Sequence, residues 1–218
     1  QRENCVWKLM LAPSMAFLIL ISIYPMAFNI YYSLFQYNFA KLDLPSFVGL
    51  GNYVDALTNE NLIIALINTS VFMVWSVSVE FLLGFGLALL CSNYRRSSRL
   101  IRSLLITPTM IAPIVASLMW LLMYNSDYGV VRRVLQLCGI VNPPALLASK
   151  TYAMPAVILV DVWQWTPFVM LTLFAGLTAM PKDLTEAACV DGANGWKRLV
   201  HITIPSLKPV IAVVLLMR

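Results

Sequence analysis

Polar and aromatic side chains interrupt an apolar run in the segment VDVWQWTPFVMLTLFAGL, which occupies residues 160–177. Indole rings stack on the C–H faces of sugars, and carboxylate, amide and hydroxyl groups hydrogen-bond to sugar hydroxyls. The residue types therefore predict a transient carbohydrate site at membrane depth, formed by Asp161, Trp163, Gln164, Trp165 and Thr166. An aromatic belt at the lipid interface is the alternative, but it would put Asp161 among headgroups from a position well inside the span.

A second candidate segment, residues 183–205, has the start and stop signals of a short helix. Asp183 or Thr185 is suited to cap the helix start, and Glu186 then lies near the positive end of the helix dipole. Gly192 is suited to end this helix. The pattern predicts a short helix followed by a glycine turn.

Another short helix is predicted directly after that turn. Trp196, Leu199 and Val200 have the i, i+3, i+4 spacing of one helix face. Pro205 and Pro209 are expected to interrupt the backbone before the next apolar run. Two short helices that meet at a glycine and carry an exposed tryptophan are suited to docking onto another protein.

The amino-acid composition is that of a membrane protein. Of the 218 residues, 60% are apolar and 11% are charged, far from the averages of soluble domains. The long uncharged runs predict an all-α, polytopic protein in the lipid bilayer. Spans are predicted at 9–35, 62–90, 104–124 and 152–180, with a fifth that begins after Pro209 and is cut short at Arg218. Residues 36–61 are predicted to form an irregular polar loop.

Prolines and arginines add detail to these spans. Pro25 is expected to kink or break the first span, and Pro108 and Pro113 to bend the third where it lines a cavity. The loop 92–103 has four basic residues and no acid, which predicts that this loop, the N-terminus and the segment 183–205 are cytoplasmic. These basic residues are Arg95, Arg96, Arg99 and Arg102.

Metal binding and catalysis within this chain are not predicted. His201 is the single histidine of the sequence, which excludes a His-based metal cluster or triad. The net charge of +5 comes from basic residues between the spans and indicates orientation, with no nucleic-acid partner. The cysteines have neither C-x-x-C spacing nor a histidine at ligand distance: Cys5, Cys91, Cys138 and Cys189.

The segment that begins at Glu186 resembles a known motif. Its spacing, Glu186-Ala187-Ala188, three residues, Gly192, nine residues, Ile202, one residue, Ile204-Pro205, is similar to the E-A-A-x3-G-x9-I-x-L-P loop of ABC importer permeases. Ile204 in place of leucine is the one departure. The segments FVGLGNY and WQWTPFVMLTLFAGLTAMPKDLTEAACVDGA resemble the maltose-type sugar permeases, and the likeness extends over nearly the whole chain.

This resemblance implies a single permease domain over residues 1–218, of the type I, maltose-type helical bundle, with further spans beyond its trimmed C-terminal end. It implies that residues 183–205 form a cytoplasmic loop that couples to an ATPase through Glu186, Ala187, Ala188, Asp191, Gly192, Trp196 and Pro205. It implies that the solute pathway is bordered by Thr109, Pro113, Asp161, Trp163, Gln164 and Trp165. Asp161 and Trp165 differ from the small or amide residues of the maltose-type proteins, which indicates a different solute.

The resemblance further implies a non-enzymatic permease subunit of an ATP-driven importer of a sugar or polyol in the plasma (inner) membrane. The sequence has no G-x-x-x-x-G-K-[ST] loop, so ATP and Mg²⁺ are expected on separate cytoplasmic ATP-binding subunits, and no cofactor is expected in this chain. A second homologous permease and an extracytoplasmic solute-binding protein are the other expected partners.

Three alternatives stay open at this point. One is an importer of a different solute, such as glycerol-phosphate or an amino acid, although a phosphate would call for basic residues that the spans do not offer. Another is an intramembrane enzyme, for which Glu80 and Asp161 are the candidate acids. The third is an ion-driven secondary transporter that uses the same two acids as proton carriers. Glu80 is otherwise a packing residue beside Gly84 and Gly86, which is the interpretation we favour.

Overall fold

Long apolar helices dominate the structure. The computed structural model describes residues 2–37, 45–93 and 98–218. In that part of the chain, four helices are long and apolar enough to cross a membrane, and a fifth apolar helix is shorter, at Pro113–Met123. The four are Met10–Ser33, Glu60–Ser92, Ala153–Ala179 and Gly195–Met217. The prediction of an all-α membrane bundle is confirmed.

The contacts divide the chain into two compact units, Gln1–Asn68 and Thr69–Arg218. Helix α3, Glu60–Asn93, contributes residues to both units. The expectation of one permease domain over 1–218 stays a prediction. The first unit contains α1, β1, β2 and α2, at Arg2–Ser33, Phe35–Gln36, Ser46–Phe47 and Gly51–Thr58. The second contains α4 at Ser98–Met110, α5 at Pro113–Met123, α6 at Val130–Leu137, a 3-10 turn at Leu146–Ala148, α7 at Ala153–Ala179, α8 at Lys182–Val190, α9 at Gly195–Arg198, a π-helical segment at Leu199–Thr203 and α10 at Ile204–Met217.

The first unit is more ordered than the sequence predicted. Helix α1 does not break at Pro25 and continues to Ser33. Strands β1 and β2 pair antiparallel, and the side-chain amide of Asn52 donates to the carbonyls of Ser33 and Phe35, at 2.8 and 3.0 Å. The predicted irregular loop thus contains a two-stranded ribbon and helix α2, tied to the end of α1.

The core of the second unit lies where α3, α7 and α10 meet. Two glycines permit this close approach. A Cβ at Gly84 of α3 would lie 2.7 Å from Val169 of α7, and one at Gly176 of α7 would lie 2.8 Å from Leu207 of α10. The buried apolar cluster consists of Ala88, Cys91, Val169, Met170, Leu173 and Val214.

The third predicted span is the element that differs most from the prediction. It is divided into α4 and α5, which are separated at Ile111 and Ala112. The predicted bend is therefore a complete break in the helix. Arg99 and Arg102 of the predicted loop lie in α4, while Arg95 and Arg96 fall outside the described residues. The fourth predicted span, 152–180, agrees with α7 to within one residue at each end.

Candidate functional site

Helix α7 places its polar and aromatic residues on two different faces. Successive residues of an α-helix are about 100° apart, so Asp161 and Trp165 share a face that Trp163 does not. The ring of Trp163 instead contacts Trp120 of α5, with 5.5 Å between ring centroids. The structure therefore divides the predicted cluster, and it keeps Asp161 and Trp165 together.

The face of Asp161 carries an ion cluster that the sequence analysis did not foresee. Arg218, the residue after α10, donates from Nε and Nη2 to the two carboxylate oxygens of Glu80, at 2.7 and 2.6 Å. The same Nη2 donates to Asp161 Oδ2 at 2.8 Å. The guanidinium carbon also lies 4.7 Å from the ring centroid of Trp165, a cation–π distance. One cation thus joins α3, α7 and α10.

The statement that the spans offer no basic residue is corrected by Lys208, which lies within the span Gly195–Met217, and by Arg218, which directly follows it. The Arg218 side chain is 12% exposed, that of Glu80 is fully buried and that of Asp161 is 21% exposed. A signal for the cluster was present in the sequence, because a lone arginine after the apolar run VIAVVLLM needs an acidic partner at that depth. The preference for Glu80 as a packing residue agrees with its burial but omitted its ion pair.

Gln164 makes a hydrogen bond at the break between α4 and α5. A broken helix leaves backbone groups without helical partners, which is tolerated at membrane depth only where other groups satisfy them. The Gln164 side-chain amide donates to the carbonyl of Ile111 at the break, at 3.2 Å. Pro113 opens α5, where its missing N–H costs nothing. The Thr109 hydroxyl donates to the carbonyl of Ile106, at 2.7 Å.

A cavity of about 320 Å³ lies on the Trp163 side of α7. Its lining is mostly apolar: Leu83, Leu87, Leu105, Pro108, Val162, Trp163, Thr166 and Pro167. Among the described residues, the buried Thr166 hydroxyl and Trp120 indole N–H have no hydrogen-bond partner. The six predicted pathway residues therefore lie in three neighbourhoods: Asp161 and Trp165 at the ion cluster, Gln164, Pro113 and Thr109 at the helix break, and Trp163 at this cavity.

Helix α8 ends in the predicted glycine turn. Gly192 has a φ of 74°, and the N–H groups of Gly192 and Ala193 donate to the carbonyls of Cys189 and Ala188. This is the Schellman pattern, which favours glycine at the left-handed position. The predicted start was wrong: α8 begins at Lys182 after Pro181, without a side-chain cap, and Asp183 lies in the first turn.

The surface of α8 and α9 presents apolar side chains to solvent. Val190 is 88% exposed, Trp196 is 71% exposed and Leu184 is 46% exposed. Glu186, Ala187 and Asp191 are also exposed, whereas Ala188 is buried. The Asn194 side chain caps α9 by accepting from the N–H of Lys197, at 2.8 Å. This exposed patch has the character of a docking surface. We refer to Lys182–Arg198 as the elbow.

Helix α9 passes into α10 without a break. The prediction that Pro205 and Pro209 interrupt the backbone is wrong, since Gly195–Met217 forms one span-length helix. The N–H of Ile204 donates five residues back to the carbonyl of Leu199, which widens the turn before Pro205. Pro205 then occupies the first turn of α10. The elbow is therefore joined by continuous helix to the residue before Arg218.

Comparison with known proteins assigns the family. Residues 80–218 match the family model described as "Binding-protein-dependent transport system inner membrane component". The chain belongs to this family. The matched part of this inner membrane component runs from Glu80 to Arg218, so it contains the elbow and all three members of the ion cluster.

Individual relatives extend the match over the whole chain of this inner membrane component. It is 35% identical over 217 residues to the trehalose/maltose transport system permease protein MalF of Thermococcus litoralis, covering 100% of this chain and 73% of the relative. It is 33% identical over 210 residues to the trehalose transport system permease protein SugA of Mycobacterium tuberculosis, covering 96% of this chain and 67% of the relative.

A solved structure shows the same fold as this inner membrane component. A chain from a bacterial alginate ABC transporter, in complex with alginate pentasaccharide-bound periplasmic protein, superimposes with a TM-score of 0.81. The sequences are 22% identical, and the alignment covers 99% of this chain and 72% of the other. The family comprises subunits of transport systems, so the expectation that the chain acts in transport and spans the membrane several times is confirmed.

Proposed function

We propose that this chain is the permease subunit of an ATP-driven importer that moves a sugar or related polyol across the inner membrane. The observation that carries the proposal is the continuous helix from Gly195 to Met217, which joins an exposed docking surface to the ion cluster. A movement applied at the elbow would reach Asp161 and Trp165 through Arg218. Coupled transport requires that such a connection have different contacts in two conformations.

The side chains near Arg218 support a hydroxylated solute. The Asp161 carboxylate is partly exposed and could accept hydrogen bonds from sugar hydroxyls, and the partly exposed ring of Trp165 contacts the same Arg218 guanidinium. Gln164 adds a side-chain amide at the helix break, where it donates to the carbonyl of Ile111. The names of the two relatives described above, which specify trehalose and maltose, support the same class of solute. We assign the pathway to Asp161, Gln164 and Trp165, with Thr109, Pro113 and Trp163 bordering it.

The elbow supports the proposed partners. We assign the contact with a cytoplasmic ATPase subunit to the exposed residues of the elbow, and we expect ATP and Mg²⁺ to bind to that subunit. The residues that form or shape the contact are Glu186, Ala187, Ala188, Asp191, Gly192, Trp196 and Pro205. The elbow and the N-terminus are then cytoplasmic. A second homologous permease completes the membrane part, and an extracytoplasmic binding protein delivers the solute.

The ion cluster disfavours the competing functions. A proton carrier must exchange protons with water, whereas Glu80, one of the two candidate acids, is fully buried and ion-paired. A phosphate would meet one guanidinium that already contacts two carboxylates, so the cluster offers it no free positive charge. The cluster therefore supports neither Glu80 as a proton carrier nor a phosphate-bearing solute.

Uptake of radiolabelled trehalose and maltose into intact cells that express the complete transporter tests the proposal. We expect uptake that stops on ATP depletion and continues when an ionophore collapses the ion gradients. Unlabelled sugar should compete, while glycerol-phosphate and amino acids should not. Uptake that follows an ion gradient, or that only glycerol-phosphate inhibits, would contradict the proposed function.

A further inference from the structure

Arg218 contacts three side chains from two other helices. Glu80 comes from α3, and Asp161 and Trp165 come from successive turns of α7. Buried charges are stable only when they are paired and hydrogen-bonded. The guanidinium satisfies this condition for both carboxylates at once.

The two carboxylates are held unequally. Glu80 is fully buried and receives two hydrogen bonds in a bidentate geometry, which is the strongest arrangement for a guanidinium and a carboxylate. Asp161 is 21% exposed and receives one bond, from a nitrogen that also serves Glu80. Glu80 is therefore the anchor of the cluster, and the contact with Asp161 is the weaker half.

The contact with Asp161 nevertheless fixes what a solute would meet. The bond through Oδ2 holds one oxygen of the Asp161 carboxylate, and the guanidinium carbon lies 4.7 Å from the centroid of the Trp165 ring. Rotation of Arg218 would release both groups together.

We propose, on the basis of the function proposed above, that Arg218 is a positioning residue for solute recognition. Anchored by Glu80, it holds the Asp161 carboxylate and the Trp165 ring in the orientation that sets solute affinity and selectivity. Glu80 has no exposed surface, so it acts through Arg218 without touching the solute. This gives the buried acid of α3 a role in transport.

Uptake kinetics of conservative variants in the complete transporter test this role. Arg218→Lys keeps the charge but cannot bind Glu80 in the bidentate manner. Glu80→Gln keeps the size of the anchor and removes its charge. We expect each variant to raise the KM for sugar about tenfold with a maximal rate within about twofold of wild type, because charged hydrogen bonds are lost. Lys208→Gln, an exposed cation on the same helix, should leave KM unchanged.

A double variant separates positioning from simple loss of packing. Asp161→Asn should raise KM by itself, and Glu80→Gln should add little to it, because both act through one guanidinium. Arg218→Lys retains a cation for Glu80 and therefore assembles even where Glu80→Gln does not. Independent, multiplying effects of Glu80→Gln and Asp161→Asn would contradict the proposal, as would wild-type KM values in assembled Arg218→Lys and Glu80→Gln.

A solute-independent measurement distinguishes this proposal from the proposed function. The difference in fluorescence between the wild-type transporter and Trp165→Phe isolates the emission of Trp165. We expect that emission to shift in the Arg218→Lys background and to stay constant with Lys208→Gln. If the Trp165 emission shifts in Arg218→Lys but the wild-type transporter takes up no sugar, the proposed function is overturned and the positioning role is not. Sugar uptake by wild type with neither a KM change nor a shift would overturn the positioning role alone.

Discussion

Gly192→Val is expected to separate ATP hydrolysis from solute movement, lowering the amount of solute imported per ATP about tenfold. Gly192 has a φ of 74° at the turn of the elbow, and among the described residues other than its two chain neighbours, no atom lies within 4 Å of an added Cβ. The effect therefore comes from the backbone, since a β-branched residue in this conformation costs on the order of 1–3 kcal/mol. That cost is comparable to a tenfold shift between two conformations. The measurement is sugar uptake and ATPase rate on the same proteoliposomes.

Gly192→Asn is the matched control, because asparagine tolerates the left-handed region. We expect it to retain most of the coupling. Equal loss in the valine and asparagine variants would show that the side chain of residue 192 matters more than its backbone, and unchanged coupling in the valine variant would contradict the role of the turn.

Gly84→Leu is expected to destabilise the permease by about 3 kcal/mol and to prevent its recovery as a complex. A Cβ at residue 84 would lie 2.7 Å from the Val169 side chain and 3.0 Å from the backbone nitrogen of Met170. Backbone of α7 cannot yield without separating the helices, so overpacking is the dominant cost. Thermal denaturation in detergent, followed by size-exclusion chromatography, measures the loss.

Gly86→Leu provides the control two residues away. In the part of the chain that the structure describes, no atom outside the adjacent turns of α3 lies within 4 Å of an added Cβ at Gly86, so we expect a stability close to that of wild type. Equal destabilisation by the two leucines would mean that the close approach of α3 and α7 is not what requires glycine at residue 84.

The features that could be predicted from the sequence are those encoded over short distances. Apolar length predicts the span at 152–180 and α7 agrees with it closely, because burial in lipid depends on consecutive residues. The turn at Gly192 was predictable for the same reason, since one residue type meets a local backbone requirement. The prediction of an interruption at Pro205 was wrong because a proline near the start of a helical segment is tolerated when the preceding turn widens.

The features that could not be predicted depend on pairings between distant parts of the chain. Glu80 and Arg218 are 138 residues apart, and no local pattern joins them. The break between α4 and α5 needs Gln164 as a partner, 53 residues from Ile111. The separation of Trp163 from Asp161 follows from helical geometry, but choosing which face meets the bundle requires the neighbouring helices.

Two native cysteines allow a direct test of the central claim, that a cytoplasmic ATPase moves this chain at the elbow. Cys189 is exposed on the elbow, and Cys138 is exposed after α6. Variants that keep only one of them, in the complete transporter, can be treated with a thiol-to-amine cross-linker. We expect Cys189 to cross-link to the ATP-binding subunit and to resist membrane-impermeant reagents in intact cells, whereas Cys138 reacts from outside. Labelling of Cys189 from outside, without a cross-link to the ATPase, would contradict the account.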